Sequence, residues 1–139
     1  MEWVVVHKAR LVPGIQNGLA QVAGKPLPAI GRQVVRAVLL TGNATWQALP
    51  GDLVEHRSGP FTSDILGAST VIGCLSITAK GSVAQGIAVT VDGHEPEAQE
   101  LEELAQGLGD PDTWALLRRL EALAAICGGD EIRAVVLCW

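Results

Sequence analysis

The sequence has no tyrosine, one phenylalanine and one methionine, and four tryptophans make up most of its aromatic content. Without tyrosine, no phenolic hydroxyl is available as a general acid or as a donor to an oxyanion. Aliphatic side chains must therefore fill the core, and 48% hydrophobic residues suffice for this in a chain of 139 residues. The low charged content, 18%, is typical of a folded chain rather than a disordered one. We expect a single globular domain over residues 1–139.

Common catalytic and nucleotide-binding motifs are also missing. The only Gly-Lys pair, Gly24-Lys25, is followed by Pro26, so the chain has no Walker A loop. It has no G-x-G-x-x-G after a strand, no G-x-S-x-G, no C-x-x-C and no H-E-x-x-H. These absences argue against the usual nucleotide-binding, thiol-redox and zinc-hydrolase families. We predict no cofactor and no metal.

Long apolar runs and paired cysteines are absent as well. No run has the basic flank of a signal peptide or the ~20 residues of a membrane span. The three cysteines, Cys74, Cys127 and Cys138, are an odd number without metal-ligand spacing. We therefore predict a soluble, cytoplasmic protein without membrane contact. Its acidic character, a net charge of −5, argues against nucleic acid as a partner.

Alternating β-branched residues predict a first strand over residues 2–12, which Pro13 and Gly14 should end. Residues 13–29 contain three prolines and three glycines and predict a long loop, with a short strand at 18–23 as a weaker element inside it. Loops of this length in a compact domain are often functional.

Residues 29–40 fit two structures. The spacing of Arg32 and Arg36 and the position of Pro28 favour a helix. The β-branched pair Val34-Val35 and the apolar residues 38–40 are also typical of a strand. We expect the helix, because in a strand both arginines would share the parity of the core residues.

The middle of the chain predicts two hairpins. Strands at 45–49 and 53–57 flank a turn at 50–52, and a short helical turn then begins at Thr62, Ser63 or Asp64 and ends at Leu66. A stronger hairpin pairs residues 70–79 with 83–91 around a turn at 80–82. Both of its faces carry apolar residues, so we expect it in the sheet centre.

The last third predicts two helices and a strand. Pro96 suits the first turn of one helix, and Asp110-Pro111 opens another that places Trp114 in the core. Residues 132–139 are almost continuously apolar, as in a strand buried on both faces. The predicted class is α+β, with one mainly antiparallel sheet of about five to six strands packed against two or three helices.

One polar cluster carries the candidate chemistry. His56 could act as a general acid or base, and Arg57 could hold an anionic group. Ser58 or Ser63 could be a nucleophile if His56 reaches it and a carboxylate, for which Asp64 is the candidate, orients the ring. His7 is predicted to face inward from the first strand and could share a cleft with His56. The ordinary alternative is an exposed strand end followed by a turn, with His7 as a core histidine.

Two functions remain open. The first is a protein-binding or assembly module that forms a homo-oligomer, or docks on a larger protein complex, through apolar sheet edges. Trp3 and Trp139 would form an apolar patch there if the two terminal strands pair. The alternative is a small enzyme in which the 13–29 loop covers a cleft and His56, Arg57 and His7 act on a small anionic substrate. The expected partner is a second copy, another protein or a small-molecule ligand.

Overall fold

The computed structural model describes residues 2–26, 33–41, 48–59 and 64–139. Its elements in chain order are β1 (Glu2–His7), a 3₁₀ turn (Ala9–Leu11), α1 (Val12–Val22), β2 (Ala37–Thr41), β3 (Leu53–Ser58), β4 (Ile65–Thr70), β5 (Gly73–Ser82), β6 (Gly86–Val91), α2 (Ala98–Gly107), α3 (Thr113–Ile126) and β7 (Glu131–Cys138). The α+β class is confirmed. The strands divide between two sheets, a first sheet ordered β1-β3-β4 and a second sheet ordered β2-β7-β5-β6.

The first strand is confirmed over residues 2–7 but does not extend to residue 12, because β1 ends at His7. The loop predicted after it is wrong where α1 occupies Val12–Val22. Pro13 lies in the first helical turn, where its missing N–H costs no hydrogen bond. A Cβ on Gly18 would lie 1.9 Å from the carbonyl oxygen of Val35, so this helix contains glycine where backbone packs on backbone. The strand predicted at 18–23 is also wrong, because α1 extends to Val22. Residues 27–29 lie outside the described residues.

The helix favoured for 29–40 is also wrong where the structure describes it. Residues 37–41 form β2, which pairs antiparallel with β7, and residues 29–32 lie outside the described residues. Arg36 comes just before the strand: its Nε donates to the carbonyl of Trp139 at 2.8 Å, and its own carbonyl accepts from the Trp139 amide at 3.0 Å. The arginine therefore extends the pairing of β2 with β7.

The first sheet joins β1 to β3 in parallel and β3 to β4 antiparallel. The strand predicted at 53–57 is confirmed, and Gly51 adopts a φ of 92° in the turn before it. The helical turn through Leu66 is wrong, because Ile65–Thr70 pairs as β4; Thr62 and Ser63 lie outside the described residues. Of the strand predicted at 45–49, only Ala48 and Leu49 are described, and they lie outside any strand.

The second sheet contains the predicted hairpin and the predicted last strand. β5 pairs with β6, and the turn lies at residues 83–85 rather than 80–82. β5 and β7 are inner strands, whereas β6 is an edge strand, so the expected central position holds only for the first arm. β7 has neighbours on both sides, as its continuous apolar run predicts.

The two C-terminal helices are confirmed and cover one face of the second sheet. α3 begins two residues later than predicted: Asp112 caps it by accepting from the Ala115 amide at 2.8 Å, while Asp110 is buried beside Arg119. Trp114 points outward, contrary to the expectation that it lies in the core.

The molecule has three layers: α2 and α3, then the second sheet, then the first sheet. A separate apolar cluster joins the inner face of the first sheet to the second sheet, with Val5, Val54, Val71 and Leu137 buried in it. α1 closes one end through Ile15, which packs with Val35 and Trp139. Among the described helices, none is long and apolar enough to cross a bilayer.

Candidate functional site

His7 and His56 contact each other inside the protein. β1 and β3 are parallel neighbours, and Val5 pairs with His56 while His7 pairs with Ser58. Both imidazoles face inward and are buried. Nε2 of His7 lies 2.9 Å from Nδ1 of His56, and the ring centroids are 5.1 Å apart. One of these two nitrogens carries the proton of a hydrogen bond between the strands.

Ser69 on β4 extends this contact into a hydrogen-bonded chain, which we call the Ser69–His56–His7 chain. Its Oγ lies 2.8 Å from Nε2 of His56. A neutral imidazole has one donor and one acceptor nitrogen, so a proton order that satisfies both contacts exists in either direction. Nδ1 of His7 is buried and has no hydrogen-bond partner in the described part of the chain. The chain connects all three strands of the first sheet through polar side chains.

Trp139 covers the histidine pair. Its ring centroid lies 4.4 Å from that of His56 and 5.9 Å from that of His7, with the planes tilted by more than 50°. The apolar sheet-edge patch expected from Trp3 and Trp139 does not form, because β1 and β7 belong to different sheets and Trp139 is buried. Trp3 instead donates its Nε1 hydrogen to Asp52 at 3.0 Å.

The surroundings keep both imidazoles neutral at physiological pH. Burial lowers the pKa of His7 from 6.5 to about 4. Burial, together with a smaller effect of the neighbouring His7, lowers the pKa of His56 to about 4 as well. The surrounding core is apolar, and it favours the neutral rings.

The other predicted site residues lie elsewhere. Arg57 faces the opposite side of the first sheet, where its Nε and Nη2 donate to Oε2 of Glu55 at 3.0 and 2.8 Å. Ser58 and Asp64 meet through the backbone, because the Ser58 amide donates to the Asp64 carbonyl at 3.0 Å. Ser69 and Trp139 were missed as partners of His56. No motif marks either residue, and only the strand pairing brings them to the ring.

The Ser69–His56–His7 chain has the order of a nucleophile, a base and an orienting group. However, Ser69 is only 7% exposed and both imidazoles are buried, so a substrate has little access to the hydroxyl. Among the described residues, no group of three His, Cys, Asp or Glu side chains could hold a metal ion. The Ser69–His56–His7 chain is therefore a buried polar connection within the first sheet.

A pocket of about 380 Å³ lies between α2 and the second sheet. Its walls are mainly apolar, and its polar lining comes from Arg36, Glu100 and Glu103. Trp139 contributes to the lining, but neither His7 nor His56 does. The cleft that the sequence predicted around the two histidines is therefore not this pocket.

The outer face of the first sheet carries a grid of outward-facing side chains, in which the register of β3 with β4 shifts between His56 and Arg57. The strand pairing places them in three rows: Glu2, Leu53 and Thr70; Val4, Glu55 and Ala68; Val6, Arg57 and Ile65. Four large aliphatic residues of this grid are half-exposed or more: Val4 53%, Val6 53%, Leu53 52% and Ile65 60%. We call these four residues, with Ala68 and the Glu55–Arg57 ion pair, the outer patch.

Comparison with known proteins gives no relative: no family model matches the chain, and neither the curated proteins nor the solved structures contain a match. The geometry of the described residues is therefore the basis for a functional proposal.

Proposed function

We propose that this protein is an assembly module that forms a homo-oligomer through the outer patch of its first sheet. The observation that supports this most is the clustering of Val4, Val6, Leu53 and Ile65, each about half-exposed, on one face of three adjacent strands. Single exposed aliphatic side chains are normal on any protein surface, but several on one face of a sheet, here on both sides of the Glu55–Arg57 ion pair, are typical of an interaction site.

Burial of these four side chains would provide the driving force for self-association. Complete burial of a Val, Leu or Ile side chain contributes roughly 1.5–3 kcal/mol, so half-exposed side chains retain on the order of 1 kcal/mol each. Two other exposed apolar residues lie at opposite ends of α3. Ile126 is 80% exposed at the end of α3, and Trp114 lies near the start of the same helix.

The composition of β1 also favours contact with a second copy. β1 is an edge strand of the first sheet, and Val4 and Val6 face outward from it. Edge strands that avoid partners usually carry lysine, proline or a bulge. The six residues of β1, Glu2–His7, contain neither lysine nor proline.

The alternative function, a small enzyme acting through His56, Arg57 and His7, has less support. Its two histidines are buried and neutral, whereas Arg57 lies on the opposite face and pairs with Glu55. The buried Ser69–His56–His7 chain is the one arrangement that favours this alternative. Its activity would require access to Ser69 from solvent.

Light scattering after size-exclusion chromatography tests the proposed function. We expect a defined oligomer at micromolar concentration and a monomer for Val6→Lys, because lysine would place a charge within the apolar contact. Ile126→Lys is the matched control, since it changes an equally apolar exposed residue on another layer, and it should leave the oligomer intact. A monomeric wild-type protein, or an oligomer that Val6→Lys leaves unchanged, would reject the proposal.

A further inference from the structure

We propose that the partner of the outer patch is a second copy of this chain, related by a two-fold axis that places Glu55 opposite Arg57 of the second copy. This inference rests on the proposed self-assembly and adds the geometry of the contact. It follows from the arrangement of charge and apolar surface over the three rows of the grid.

The axis runs across the strands, between the row that contains Glu55 and the row that contains Arg57. Rotation about it exchanges these two rows and keeps each strand opposite its own copy. Val4 then faces Val6 of the second copy, Glu55 faces Arg57, and Ala68 faces Ile65, as the strand pairing dictates. Each contact occurs twice, as an isologous interface requires. Within these two rows, every apolar residue meets an apolar residue and every charge meets the opposite charge, whereas the row of Glu2, Leu53 and Thr70 lies beside this contact.

Other two-fold arrangements of the same faces oppose like charges or bury a charge against an aliphatic side chain. An axis along β3 places Glu55 opposite itself and Arg57 opposite itself. An axis along the Glu55 row also opposes the two glutamates. An axis between the Glu55 row and the Leu53 row sets Glu55 on Leu53 and Glu2 on Val4. Opposed like charges at an interface cost several kcal/mol, so the charge pattern selects the first arrangement.

The ion pair within one chain is compatible with this contact. Both of its hydrogen bonds end on Oε2 of Glu55, which leaves Oε1 able to accept from the guanidinium of the second copy. The two side chains are 34% and 23% exposed, so they reach the surface of the sheet. In the dimer, two glutamates and two arginines would alternate in sign at the centre of the interface. Apolar contacts would surround them and provide most of the affinity.

The size of the patch limits the strength of the dimer. The grid has nine outward residues, whereas a standard interface uses roughly 20–30 residues on each side. Face-to-face packing of two sheets with strands nearly aligned is a common arrangement, with the sheets about 10 Å apart. We expect micromolar rather than nanomolar self-association.

Two variants that reverse the charge at residue 55 or at residue 57 test the proposed two-fold arrangement. Glu55→Arg alone sets arginine against Arg57 of the second copy, and Arg57→Glu alone sets glutamate against Glu55. We expect each variant to dimerise at least about tenfold more weakly than the wild type. An equimolar mixture should form a one-to-one heterodimer, because one copy then presents two arginines and the other two glutamates. The double variant Glu55→Arg/Arg57→Glu should dimerise like the wild type.

Sedimentation velocity measures the dimerisation of each variant and of the mixture, and circular dichroism checks that each variant is folded. Weaker dimerisation of both single variants, together with heterodimer formation in the mixture and wild-type dimerisation of the double variant, supports the two-fold arrangement. If the mixture stays monomeric while the wild type associates and Val6→Lys prevents it, the outer patch assembles in another arrangement; this inference then fails and the proposed function stands. If Val6→Lys leaves the association intact, the proposed function fails as well.

Discussion

Nε2 of His7 lies 2.9 Å from Nδ1 of His56. The two histidines are 49 positions apart in the sequence, and their contact joins the parallel strands β1 and β3. Both rings are buried against Trp139, and the second nitrogen of His56 contacts Ser69. On the same strand, β1, the side chains of Val4 and Val6 point outward. One side of the first sheet thus carries a polar connection inside the protein, and the other side carries the proposed assembly surface.

The histidine pair predicts acid destabilisation. The pKa of each ring is lowered in the folded protein from 6.5 to about 4, so the unfolded chain binds more protons between these two values. The contribution of these two rings to the free energy of unfolding should therefore be constant above pH 6.5 and should fall as the pH decreases toward about 4. We expect a loss on the order of 3 kcal/mol for each ring that is protonated over this interval.

Urea denaturation at a series of pH values checks this expectation. His7→Leu/His56→Leu should flatten the dependence between pH 6.5 and about 4, because it removes both titrating rings. His94→Gln is the control, since His94 is exposed beside Glu100, and it should keep the wild-type slope. A double variant that retains the full slope would assign the acid sensitivity to other groups.

Ser69→Ala should destabilise the protein, because it leaves Nε2 of His56 buried without its partner. The expected loss is about 1–3 kcal/mol in the free energy of unfolding. Thr70→Ala is the matched control, because Thr70 is the next residue on β4 and is exposed on the outer face. Chemical denaturation compares the two variants. Equal stability of both would show that the hydroxyl of Ser69 makes no net contribution.

Gly18→Ala should also destabilise the protein, although alanine normally stabilises a helix by about 1 kcal/mol relative to glycine. The new Cβ would lie 1.9 Å from the carbonyl oxygen of Val35, so α1 would have to move away from that segment. We expect a loss of at least about 2 kcal/mol. Gly73→Ala is the control, because no atom lies within 4 Å of its added Cβ. A thermal shift that is no larger for Gly18→Ala than for Gly73→Ala would contradict the packing of α1.

Local patterns predicted the elements whose signals lie within one segment. The apolar stripes of α2 and α3, the apolar run of β7 and the hairpin of β5 and β6 depend on residues close in sequence. The N-termini of both helices were predicted too early, because the N-cap of α2 is Glu97, after Pro96, and the N-cap of α3 is Asp112, not Asp110. The elements that were missed depend on distant partners. β2 is a strand because β7 pairs with it about a hundred residues later, and α1 contains glycines because it packs on Val35.

The site was predictable to a similar extent. The alternation of β1 correctly predicted that His7 shares a face with Trp3 and Val5, and the strand around His56 was found. The contact between the two rings depends on the parallel pairing of β1 with β3, which no local pattern indicates. The role of Ser69 depends in turn on the pairing of β3 with β4. The outer patch could not be predicted from the sequence, because the pairing of β1, β3 and β4 decides which apolar residues share its exposed face.

Sedimentation velocity of the wild type, Val6→Lys and Ile126→Lys over the micromolar range tests most directly whether the outer patch joins copies of this chain. We predict a concentration-dependent dimer for the wild type and for Ile126→Lys, and a monomer at every concentration for Val6→Lys. A wild-type protein that remains monomeric throughout, or a Val6→Lys variant that dimerises as well as the wild type, would contradict assembly through this face.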